Sequence, residues 1–150
     1  MNSADSSDSF RFLVEAETGA VRVLRTRMRA RLEAAQVAPS TADSVILAVD
    51  ELVNNAIDHG GDYRENRDRL HVEVAIAGDR VGLTFLDPSA PSDVVDELTE
   101  VFGASVDSVL PALELERGRG LFLIATCLED LKVSAAAGGG LMITGSVRRA

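Results

Sequence analysis

Glu51 and Asn55 stand one helical turn apart in a stretch, Thr41 to Asp58, that is otherwise apolar almost all round: Val45, Ile46, Leu47, Ala48, Val49, Leu52, Val53, Ala56 and Ile57. At helical spacing the carboxylate and the carboxamide share one face, and Asp58 and His59 extend that face before Gly60-Gly61 ends the helix. A helix apolar on most sides is buried on most sides, so polar groups kept on it are costly unless something pairs with them. An Asn side-chain oxygen suits Mg²⁺, a hard cation that takes oxygen ligands and keeps waters when it bridges phosphates. A carboxylate one turn earlier could orient or deprotonate a nucleophile beside that metal. The plainer alternative is a polar stripe that merely meets solvent.

A second group lies far along the chain at Glu116-Arg117-Gly118-Arg119-Gly120-Leu121. Glycines just before a helix let backbone N–H groups approach an anion, and the helix N-terminus favours negative charge. Arg117 adds a cation able to neutralise a terminal phosphate; an ordinary Gly-rich turn is the alternative. Asp87 is the third candidate, at the end of a strand and facing a Pro-rich turn, where a carboxylate could accept a hydrogen bond from an adenine amino group or simply start the turn. The chain lacks Gly-x-x-x-x-Gly-Lys-Ser/Thr, which excludes a P-loop NTPase. His59 and His71 have no partners at metal-ligand spacing, Cys127 sits on an apolar helix and reads as core, and no nucleophile elbow is present.

The elements that must position these groups follow from periodicity. Phe10–Val14 reads as a strand. Val21, Leu24, Met28, Leu32 and Ala35 mark a helix over Ala20–Gln36 whose other face carries Arg22, Arg25, Arg29 and Arg31, with Arg27 beside them: a solvated face, or a docking surface for an acidic partner. Pro39 breaks the chain, and Ser40-x-x-Asp43 resembles a capping box for the Thr41–Asp58 helix. Leu70–Ile76 and Val81–Leu86 alternate as half-buried strands joined at Gly78-Asp79, with His71 facing solvent. Residues 92–117 form a long excursion with a weak helix at Val94–Phe102, a length expected of a functional lid or a disordered segment. A helix over Leu121–Leu128 and strands at Leu131–Ala135 and Leu141–Val147, joined by Gly138-Gly139-Gly140, complete the order. Mixed, mostly antiparallel strands with helices collected on one face give an α+β two-layer sandwich.

The whole chain sets bounds. At 150 residues, with 46% apolar, it fits one domain with a real core, aliphatic because Trp is absent and aromatics are few. A formal charge of −9 argues against direct nucleic-acid binding, which needs a basic footprint. A single Cys rules out an internal disulfide framework and suits a reducing cytoplasm. No apolar run approaches a membrane span, and residues 1–9 read as a disordered Ser/Asp tail before a domain over 10–150.

In this order the three signals resemble the GHKL (histidine kinase-like) ATPase superfamily, and within it the bacterial anti-sigma factor serine-protein kinases. Glu51-Leu52-Val53-Asn54-Asn55-Ala56 with His59-Gly60 resembles the N-box, Asp87 falls where the adenine-reading Asp of the first glycine box does, and Arg117-Gly118-Arg119-Gly120-Leu121 resembles the second. The resemblance spans about Phe10 to Arg149. It implies the Bergerat ATP-binding fold, ATP and Mg²⁺ as cofactors, Asn55 as the metal ligand and Glu51 as the catalytic base. It further implies that Asp87 reads adenine, and that Asp58, Arg117, Gly118, Arg119 and Gly120 line the nucleotide site. The implied activity is phosphorylation of a Ser on a small anti-anti-sigma partner of STAS type, with sequestration of a sigma factor; a homodimer is the family habit.

One departure is plain: the family's Asp-x-Gly reads Asp87-Pro88-Ser89 here, and a Cβ at Ser89 is expected to crowd the adenine or restrict φ. That departure and the basic first helix leave a second hypothesis open, a non-catalytic partner-switching module, nucleotide-gated or nucleotide-free. A third, a histidine-kinase ATP domain, would need a phosphoacceptor-His helix ahead of it.

Overall fold

The computed structural model describes residues 8–59, 69–103 and 118–150. The elements are β1 (Asp8–Glu15), α1 (Thr18–Ala34), α2 (Pro39–His59), β2 (Arg69–Ala77), β3 (Arg80–Asp87), α3 (Ser92–Gly103), α4 (Gly118–Cys127), β4 (Glu129–Ala135) and β5 (Leu141–Arg148). β1 starts at Asp8, inside the stretch read as a tail; residues 1–7 lie outside the described residues, as do residues 60–68 and residues 104–117 of the expected lid.

The five strands form one sheet in the order β1-β2-β3-β5-β4, and every pairing is antiparallel. Residues of β1 from Ser9 onward, of β2 and β3, and the first six of β5, alternate strictly. Phe10, Phe12, Val72, Val74, Leu83, Phe85 and Ile143 point into the core, and their neighbours are half-buried or exposed. His71 is on that second set and is half-buried. One apolar face per strand demands one covering layer, and the helices supply it. Leu24, Met28 and Leu32 of α1, and Val45, Val49 and Val53 of α2, complete the same core.

The weak helix of the 92–117 excursion is real. Its Val95 and Leu98 are buried, with Val94 and Phe102 packed against the core, and α3 lies on β4. The twelve residues of α3 therefore belong to the packed body. Pro39 opens α2 instead of preceding it: Ala42 N–H donates to the Ala38 carbonyl at 2.9 Å, so Ala38 flanks the helix and Ser40 lies within it. A proline is compatible with that first position because its missing N–H has no intrahelical partner there anyway.

The basic face of α1 is largely used within the chain. Arg25 pairs with Asp50 at 3.0 Å and Arg29 with Asp43 at 3.1 Å, holding α1 to α2. Arg27 and Arg31 sit over the Phe12 and Phe10 rings, 5.3 and 4.8 Å from the centroids, holding α1 to β1.

At one pole the chain is stitched by its last strand. Thr41 Oγ1 donates to the Arg148 carbonyl at 2.9 Å, and Ala38 N–H to the Arg149 carbonyl at 3.1 Å. Arg149 N–H donates to the Asp79 carbonyl at 2.7 Å, and its guanidinium to the Ala35 carbonyl at 2.6 Å, where α1 ends. α2 thus starts beside the β3–β5 pairing Arg80↔Arg148 and packs along both strands. Its 21 residues cover about 31 Å at the usual rise, which carries Glu51 and Asn55 toward the other pole, where Asp87 pairs with Leu141.

Candidate functional site

α2 and α4 meet toward that second pole, where β3 ends. α2 contributes Glu51, Asn54 and Asn55, all half-buried, and Asp58, which is exposed. The helix is amphipathic in the sense its sequence implied: Leu52, Val53 and Ala56 turn into the core and leave the polar stripe facing away.

The stripe does not simply face solvent, because α4 packs against α2 there. Gly120, in the first turn of α4, is the contact. A methyl built on Gly120 would lie 2.7 Å from Glu51 Oε2, and 3.5 and 3.8 Å from the two polar atoms of the Asn55 carboxamide. The absence of a side chain at 120 therefore creates the space in which a carboxylate, a carboxamide and the N-terminal turn of a helix converge. Gly118 joins that turn, whose first N–H groups have no intrahelical acceptors and point toward the helix start. Arg117 lies outside the described residues, as does the side chain of Arg119.

Burial raises the Glu51 carboxyl above its ordinary value of 4.5, and the negative charges of Asp50 and then Asp58 push it the same way. A carboxylate with raised proton affinity, held beside a neutral amide oxygen, is suited to accept a proton. The Cys127 thiol, farther along α4, is also raised, by burial first; a hydrogen bond from Thr126 acts against this and Glu51 adds to it. It packs against the core, as its apolar helix implied.

Asp87 is buried at this pole, 1% exposed at the end of β3. Its Oδ1 accepts the Ser89 N–H at 3.1 Å and its carbonyl the Ala90 N–H at 3.4 Å, so the carboxylate caps the turn that it begins. The expectation that Ser89 restricts φ is not met. Positive-φ residues other than glycine are Gln36 and Asp130 among those described, so Ser89 occupies ordinary backbone space that any L-residue adopts. Ser89→Gly should accordingly relieve no backbone strain, so any tightening of ATP binding would come from the Cβ alone. It should lower stability by about 0.4–1 kcal/mol through the freer unfolded chain. Paired calorimetry and denaturant titration check both, and marked tightening of ATP would show that the Cβ crowds the base.

Sequence reasoning missed one participant. Gly140 was legible only as part of a three-glycine turn, yet its backbone lies against the Asp87 carbonyl and Pro88. Its φ of +95° is the only local signal, and a turn glycine would show the same.

The architecture is a two-layer α+β sandwich whose polar pole is built from two helices and a strand end. The chain belongs to the histidine kinase-like ATPase domain family, which it matches over residues 14–145, and ATP is the ligand that membership implies. No curated protein matches the chain. Among solved structures it is similar to the RsbU and RsbW domains of Rv1364c from Mycobacterium tuberculosis, with a TM-score of 0.64 and 19% identity over 94% of this chain and 32% of that one. It is also similar to the SiaB–SiaC complex from Pseudomonas aeruginosa, with a TM-score of 0.72 and 18% identity over 92% of this chain and 88% of that one. The chain thus spans about a third of the length of the first, and at these identities both likenesses speak for the fold. No helix among the described residues is long and apolar enough to cross a membrane.

Proposed function

We propose that this chain is a Mg²⁺-ATP-dependent protein kinase of the cytoplasm that phosphorylates a Ser on a small STAS-type anti-anti-sigma partner and sequesters a sigma factor. One observation carries the proposal: Glu51, with its proton affinity raised, and Asn55 converge on the space that Gly120 leaves open at the start of α4. A domain that only bound nucleotide would have no use for a base at that spot. The Ser oxygen attacks the γ-phosphorus, its proton passes to a Glu51 carboxylate oxygen, and the bond from the γ-phosphorus to the bridging oxygen breaks to leave ADP.

The donor set fits a phosphate-bound Mg²⁺. Asn55 offers a hard, neutral oxygen, and no group of three or more His, Cys, Asp or Glu gathers into a metal cage among the described residues. When bound, the ion would neutralise phosphate charge; Asn55 would hold it, with Gly118, Gly120 and Arg119 lining the phosphates. Asp87 would accept the adenine amino group, and Asp58 would border the opening. The SiaB–SiaC complex is a case of this fold meeting a protein partner, which supports a partner-directed site.

Two measurements test the proposal. Radiolabelled ATP with a candidate anti-anti-sigma protein should yield labelled partner that is stable as phosphoserine. Absence of transfer to any such partner would leave a non-catalytic partner-switching module. Asn55→Ala should weaken ATP binding in Mg²⁺ by about tenfold or more, the value of a lost contact to a charged group, and should have little effect in chelator. Equal binding by both proteins in both conditions would remove Asn55 as the metal ligand.

A further inference from the structure

Asp87 closes β3 opposite Leu141, the first residue of β5, so the β4–β5 turn ends immediately beside the adenine candidate. That turn is itself held: Ala136 N–H donates to the Gly140 carbonyl at 2.9 Å and Gly139 N–H to the Ala136 carbonyl at 3.0 Å. A methyl at Gly140 would fall on the Asp87 carbonyl oxygen and lie 2.7 and 2.9 Å from Pro88 Cα and its carbonyl carbon. All three are backbone atoms, and the proline ring fixes its own φ, so none can swing aside as the tip of a side chain would. On its far side the same short turn bonds back to Asp87, Ser89 N–H to Oδ1 and Ala90 N–H to the carbonyl. Gly140 thus backs the peptide whose remaining bonds aim the Asp87 carboxylate.

We propose that Gly140 is a positioning residue that sets the direction of the Asp87 carboxylate and with it the base selectivity of the nucleotide site. The inference rests on the reading of Asp87 as the group that accepts the adenine amino hydrogen. A carboxylate only accepts hydrogen bonds, so it favours adenine, with its amino donor, over hypoxanthine, which presents a carbonyl at the same place. The ratio of ATP to ITP affinity therefore reports carboxylate placement, whereas general loosening of the fold lowers both affinities together.

Gly139 supplies the control. It holds the same φ of +95°, but a methyl there would meet nothing within 4 Å. Alanine at either position carries left-handed strain; only at 140 does it also press on the Asp87–Pro88 peptide.

The test measures ATP and ITP binding by calorimetry for the full chain and for Gly139→Ala, Gly140→Ala and Asp87→Asn. Wild type should prefer ATP, and Asp87→Asn, whose amide can donate to a carbonyl, should move the preference toward ITP. Gly140→Ala should lose about tenfold of the preference, the value of a hydrogen bond to a charged group. Gly139→Ala should keep the wild-type ratio and lower the melting temperature less than Gly140→Ala, through left-handed strain alone. A wild-type ratio in Gly140→Ala overturns the positioning role. An unchanged ratio in Asp87→Asn removes the adenine reading instead, and the inference with it. If Gly140→Ala does not fold, backbone amide spectra of wild type serve: the Gly140 and Ser89 signals should shift on adding ATP, and a Gly140 signal that stays put while Ser89 shifts overturns the proposal.

Discussion

Glu51→Gln is expected to lower phosphoryl transfer by about 10²–10⁴-fold, the usual contribution of a positioned general base. ATP affinity should change by less than about tenfold, because the lost lone pair serves the reaction more than the ground state. Partner binding should persist. The raised proton affinity adds a pH signature. Wild-type transfer needs the carboxylate, so its rate should fall as pH drops through the raised pKa, while the residual rate of Glu51→Gln should lack that limb. Stability should move the other way. A carboxyl whose folded-state pKa is raised stabilises the fold below the ordinary value of 4.5, and that stabilisation is lost as pH rises through the raised value. Glu51→Gln should therefore melt higher than wild type near neutral pH, with the advantage vanishing in acid. Single-turnover transfer and melting curves across pH measure both. Transfer at the wild-type rate would place the base elsewhere.

Gly120→Ala should produce the opposite combination from an ordinary destabilising change. Among the described residues Gly120 is not one of the positive-φ glycines, and alanine in a helix is favoured over glycine by about 1 kcal/mol. The new methyl would meet Glu51 Oε2 at 2.7 Å, and a carboxylate at the end of a flexible side chain can move away cheaply. The fold should hold or gain slightly, and the base should be displaced. Misplacing a catalytic group by about 1 Å costs on the order of 10²-fold in rate, and transfer should drop accordingly. ATP binding should weaken as well, since the methyl also approaches the Asn55 carboxamide. Unaltered transfer in a normally melting Gly120→Ala protein would mean that the Glu51–Asn55–Gly120 contact is packing alone.

These groups differed in how far they could be seen in the sequence. The Glu51–Asn55 stripe stood out because α2 is apolar wherever it meets the sheet, so its polar positions could only be the remaining face. The strands were equally visible, since one buried face imposes strict alternation on β2 and β3. α3 was faint because only part of its surface is buried, through Val95 and Leu98, and its capping region is broken by Pro88 and Pro91. What could not be seen were the contacts between segments distant along the chain. β3 pairs with β5 across α3, α4 and β4, and neither strand carries a mark of its partner. Gly120 against Glu51 and Gly140 against Asp87 are of the same kind: a glycine shows that space is needed, not what will occupy it. The arginines of α1 were visible as charge, but their pairing with Asp43 and Asp50 and their stacking on Phe10 and Phe12 depend on how three elements lie together.

The stitch made by Arg149 has a consequence for how the molecule can be tethered. β5 delivers Arg149 to the pole where α1 stops and α2 starts, and the eight residues of β3 separate that pole from Asp87 by about 25 Å. A dye, an affinity handle or a surface linker attached next to Arg149 therefore departs from the pole opposite Asp87 and leaves the proposed nucleotide site open. A partner fused there by a flexible segment would experience a high local concentration, while the segment would have to run the length of the domain before the partner could present a serine to Glu51. Short linkers should leave such a fusion unphosphorylated in cis, and longer ones should restore reaction once they span that distance. The Arg149 stitch works as an anchorage that governs reach without touching the proposed site.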